Sequence, residues 1–72
     1  MKYYIHSGEI QEVIIADNAE KAIRKAIFKA LKVNGVIPKM FPSINVSEIG
    51  FNTLGQNFET KYMLEKLGIR YQ

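Results

Sequence analysis

The sequence predicts an α+β domain with the element order β-β-α-β-α, a three-stranded sheet covered on one face by two helices. Three observations lead there. A β-branched run in residues 9–16 passes almost without a loop into Asp17-Asn-Ala-Glu20, a helix start signal. Residues 21–32 then repeat their apolar positions at helical spacing, whereas residues 43–49 return to strand-like alternation. At 72 residues, the chain (1–72) is one domain.

Residues 2–6 read as the first strand, aromatic and β-branched, bounded by Ser7-Gly8. Gly8 can take the positive φ of a tight hairpin, and residues 9–16 form the second strand. The turn can fall at Ser7-Gly8, at Gly8-Glu9 or over three residues. That choice decides whether Tyr3 and Ile5 or Tyr4 and His6 face the core, because a one-residue slip exchanges the faces.

Asp17 is the expected N-cap of the first helix, with Glu20 closing a capping box. Ala19, Ala22, Ile23, Ala26, Ile27, Ala30 and Leu31 line one side of that helix, and its four alanines allow close approach to a sheet. Asn34-Gly35 ends it. Residues 36–42, which include Pro38 and Pro42, form an extended connector apolar enough to pack somewhere. In the third strand, residues 43–49, Ile44 and Val46 share a face. Ile49 and Phe51 are out of phase with them, so the strand either ends near Glu48 or carries a bulge. Residues 52–57 read as a polar loop. Thr60 reads as the cap of a short second helix through Leu67, with Gly68 just beyond it, Ile69 packing back and residues 70–72 fraying. A right-handed crossover returns the third strand either beside the first, in an antiparallel order 2-1-3, or beside the second in a mixed sheet. The antiparallel order is preferred. Both helices on one side would leave the other sheet face bare.

Composition narrows the function classes. The chain has no cysteine and one histidine, which excludes disulfides, thiolate zinc and imidazole-rich metal sites. No run approaches the ~20 apolar residues of a membrane helix, and residues 1–6 lack the apolar run of a secretion signal. The expected setting is the cytoplasm. Eight lysines against two arginines, with ten isoleucines, suggest an AT-rich coding source such as a low-GC bacterium or its phage. A domain this small, lacking disulfide and metal, is a candidate for self-association.

Residues 17–34 carry the whole net charge of +3. Lys21, Arg24, Lys25, Lys29 and Lys32 lie opposite the alanine stripe, with Phe28 among them. Three readings fit that phenylalanine: the connector folds back over it, a protein partner or second copy buries it, or it stacks on bases while the cations neutralise phosphates. Two further clusters read as ordinary structure. Tyr3, Tyr4 and His6 could form a stacking platform, but one core tyrosine and one cross-hairpin pair is the simpler account, with His6 exposed and unpaired. Gly50 and Gly55 lack the lysine and hydroxyl of a phosphate loop, and Asn52, Thr53, Gln56 and Asn57 fit a connecting loop better than a ligand site.

No nucleophile, base or carboxylate pair stands at a recognisable spacing. The expectation is a non-enzymatic, cofactor-free interaction or assembly module, self-associating as a dimer or binding a protein partner. Its contact surface would be the bare sheet face or the helix face around Phe28. The alternative is a weak, sequence-nonspecific nucleic-acid binder using Lys21, Arg24, Lys25, Phe28, Lys29 and Lys32.

Overall fold

The computed structural model describes residues 1–69; the expected fraying of residues 70–72 lies outside them. Six elements follow one another: β1 (Lys2–Ser7), β2 (Ile10–Ile15), α1 (Ala19–Asn34), β3 (Ser43–Ser47), β4 (Gln56–Glu59) and α2 (Thr60–Lys66). The fold is α+β, as read, but the sheet has four strands rather than three. Their order is β2-β1-β3-β4, and every neighbouring pair is antiparallel.

The hairpin closes over Gly8-Glu9, with Ser7 opposite Ile10. Gly8 has φ 59, and a Cβ there would lie 2.5 Å from the Lys39 carbonyl oxygen, so both conformation and space require glycine. This register sends Tyr3, Ile5 and Ser7 to the covered face with Ile10 and Ile14. Tyr4 and His6 take the other face.

Helix α1 lays Ala22, Ile23, Ala26 and Ile27 on the sheet, all but inaccessible to solvent. Leu31, at the end of the expected stripe, is only partly buried. The N-cap is Asn18, not Asp17: its extended backbone (φ −153) lets its side chain accept from the Lys21 N–H at 2.9 Å. Glu20 then falls one position too early for a capping box. Gly35, at φ 77, closes the helix by donating its N–H to the Leu31 carbonyl.

The connector turns Ile37 and Met40 into the core. Its backbone is stitched to the hairpin through Ser7, which is fully buried: its hydroxyl accepts from the Phe41 N–H at 3.0 Å and donates to the Ser43 carbonyl at 2.8 Å. Strand β3 supplies Ile44 and Val46 to the core and ends at Ser47 without a bulge. There the Ser47 hydroxyl accepts from the Ile49 and Gly50 N–H groups and turns the chain.

Strand β4 replaces the expected loop end. Gln-Asn-Phe-Glu has a single apolar residue, so only its pairing with β3 makes it a strand. Gly55 precedes it because a Cβ there would lie closer to the Val46 carbonyl than any atom can. Thr60 opens α2 instead of capping it. It is buried, donating its hydroxyl to the Phe41 carbonyl at 2.6 Å and its N–H to the Pro42 carbonyl. Met63 and Leu64 join the α1 stripe, placing both helices on one face of the sheet. The helix ends in a Schellman motif, with Gly68 at φ 75 and the Ile69 N–H bonded to the Leu64 carbonyl at 2.8 Å. Ile69 packs against the core, as read.

Candidate functional site

The two surfaces the sequence singled out lie on opposite sides of the molecule. On the outer face of α1, the six expected residues divide by what they touch. Lys29 reaches Glu12 at 2.7 Å, and Lys25 donates to the Ile15 carbonyl at 2.8 Å, so both fold down along β2. Met1 and Ala16 exchange backbone hydrogen bonds, which by antiparallel alternation turns the backbone groups of Gln11, Val13 and Ile15 outward at the sheet edge. Lys25 therefore occupies an edge carbonyl, a common way of blunting an exposed strand.

Lys21, Arg24 and Phe28 stay on top of the helix. Lys21 meets Asp17 at 3.4 Å with both side chains well exposed. The Arg24 guanidinium sits over the Phe28 ring, 5.7 Å from its centre. Phe28 is 42% exposed; the connector sends Ile37 and Met40 into the core and does not fold back over the ring. Lys21, Arg24, Lys25 and Phe28 together line a shallow hollow of about 410 Å³. Lys32, in the last turn, has no ion-pair partner among the described residues.

Beside this patch, Lys66 of α2 reaches back to Glu20 at 2.5 Å. That hydrogen bond holds the Lys66 ammonium above the ordinary lysine pKa; desolvation works against it, and the Glu20 charge adds a smaller upward contribution.

The open sheet face is less bare than expected. Phe51 packs edge-on to Tyr4, ring centres 5.1 Å apart, and Phe41 packs edge-on to His6 at 5.9 Å. His6 is thus half-buried rather than free. The register orders this face into rows. One row runs Gln11, His6, Asn45 and Asn57, crossing all four strands. Of these, Asn45 alone has a side-chain hydrogen bond among the described residues, donating to the Thr53 carbonyl. The next row runs Val13, Tyr4 and Ser47, with Ile15 and Lys2 beyond it. Val13 is 44% and Ile15 73% exposed. The strands contribute only Lys2 and Glu59 as charges here.

Of the two tyrosines, Tyr3 is in the core, donating its hydroxyl to the Met1 sulfur at 3.3 Å, and Tyr4 lies opposite Val13 across the hairpin, which agrees with the simpler account and not with a stacking platform. The loop around residues 50–55 satisfies itself: Thr53 donates to the Gly50 carbonyl and accepts from Ser47, both at 2.7 Å. Gln56 and Asn57 belong to β4 instead. The polar row is the feature sequence reasoning missed, and the signal for it was register, which alternation in β1 alone does not supply.

No helix among the described residues is long and apolar enough to cross a membrane. No family model, curated protein or solved structure matches the chain.

Proposed function

We propose that this chain is a non-enzymatic assembly module that pairs with a second copy of itself through the open face of its sheet. The observation that carries this reading is the exposure of Val13 and Ile15 beside Tyr4 and Phe51, on a face to which the strands contribute one charge of each sign. A two-fold interface brings the same patch against itself. The open face tolerates that, being apolar at one end and polar but uncharged in its next row. The outer face of α1 does not, since its five cations would oppose five more, and like charges across an interface are costly. Gln11, His6 and Asn57 keep hydrogen-bonding capacity that a partner can use. A small domain without disulfides gains most from such a contact. The reading needs no cofactor or metal, and the cytoplasm remains the proposed setting.

The test is mass against concentration by sedimentation, for the wild type and for Val13→Asp combined with Ile15→Asp. The wild type should be dimeric, with a melting temperature that rises with concentration, and the double variant monomeric, folded by circular dichroism and with a melting temperature that does not depend on concentration. Phe28→Ala should leave the mass as it is. A wild type that stays monomeric at every concentration would refute self-association.

A further inference from the structure

We infer that the hollow on α1 is a binding site for single-stranded nucleic acid, with Phe28 stacking on one base and Lys21, Arg24 and Lys25 holding the flanking phosphates. It lies on the opposite side of the sheet from the self-association surface, so neither reading depends on the other.

The first reason is the composition of the hollow. Its walls are three cations and one phenyl ring, with no carboxylate and no aliphatic side chain. An apolar ligand would desolvate the cations, and a plain anion would leave the ring without a function. A flat aromatic group attached to a negative charge uses both, and a nucleotide in a strand is such a group.

The second reason is the state of the cations. Lys25 is bonded to a neutral carbonyl and keeps its full charge. The Lys21–Asp17 pair has side chains 61% and 86% exposed, and pairs so exposed are worth little, so Lys21 can exchange Asp17 for a phosphate. Arg24 is already stacked on the ring, where a weakly hydrated, planar guanidinium can bond a phosphate without leaving. Lys32 stands one turn beyond Phe28 and extends the track. Lys29, committed to Glu12, is left out of the site.

The third reason concerns the strand. Phe28 projects from a convex helix, where it can reach an unstacked base but not one inside a duplex. Acidic peptides could use the lysines, yet would gain nothing from the ring. Dependence on Phe28 therefore separates a nucleic-acid strand from any other polyanion.

The experiment is fluorescence anisotropy with labelled oligo(U) and oligo(dT), competed by a duplex and by polyglutamate. Binding should weaken between about 50 and 200 mM salt with a log–log slope of about −2, as about three phosphate contacts on a single strand imply. Arg24→Glu with Lys25→Glu should abolish it. Phe28→Ala should weaken it about tenfold, given typical base–aromatic stacking, and Phe28→Tyr should restore it. Circular dichroism confirms that each variant is folded; if Phe28→Ala is not, Arg24→Gln, which keeps the ring, replaces it and should weaken binding and flatten the salt slope. Absence of binding at low salt would overturn the inference. So would full affinity in Phe28→Ala, or competition by polyglutamate or duplex as strong as by the single strand.

Discussion

The two faces of the sheet are built from the same four strands and have opposite characters. The covered face is closed: Ile5, Ile23, Ile27, Ile44, Met63 and Leu64 have at most 1% of their surface in water. The Ser7 hydroxyl, buried on β1, both accepts and donates a hydrogen bond. The open face holds its aromatics edge-on under two loops and leaves the side chains of Gln11, His6 and Asn57 without hydrogen bonds among the described residues. The difference teaches where the chain spends its apolar residues. One face carries the stability of the domain, so the other is free to meet something else.

The largest change should come from the covered face. Ile23→Ala removes a fully buried side chain where α1 lies on the sheet, and should lower stability by about 2–5 kcal/mol in urea denaturation. A loss no larger than that of an exposed substitution would erase the distinction between the faces. Next comes Ser7→Ala, which leaves the Phe41 N–H unpaired inside the protein, at a cost of about 1–3 kcal/mol. Because Phe41 lies against His6 on the other side, the same change should shift the His6 ring signals in an NMR spectrum. Unmoved signals would show the two faces to be uncoupled there.

The smallest effect concerns the tie between the helices. The Lys66 pKa is raised in the folded protein, so its contribution is complete below the unfolded lysine value of about 10.4 and fades as pH rises through the higher folded value. Lys66→Gln should match the wild type in stability only at strongly alkaline pH and be slightly less stable at neutral pH. A difference that persisted unchanged through the alkaline range would assign the effect to packing.

What the sequence made legible follows the range of the interactions. Helix α1 announces itself through its stripe and its glycine stop, both local. Its cap was misplaced by one residue because Asp17 and Asn18 are both competent, and the backbone angle that selects Asn18 is not written in either. Strand β4 has no apolar pattern of its own and exists through β3. The basic residues of α1 were legible as a group, but not their partners, since Lys29 meets Glu12 across 17 positions and Lys25 meets Ile15 across 10. The exposure of Phe28 likewise depended on where the connector, residues 36–42, would send Ile37 and Met40.

Strand β1 sits between a neighbour that follows it at once and one that arrives only after the helix. The Ser7–Ser43 hydrogen bond joins positions 36 apart. The hairpin and α1 can therefore assemble from nearby residues, whereas the sheet is completed only when a long loop closes and β3 docks against β1. Closing a loop of that size costs entropy before the new contacts repay it. The β1–β3 seam is therefore expected to form late in folding, and a chain stalled before that step would present the free side of β1 to any other strand it met.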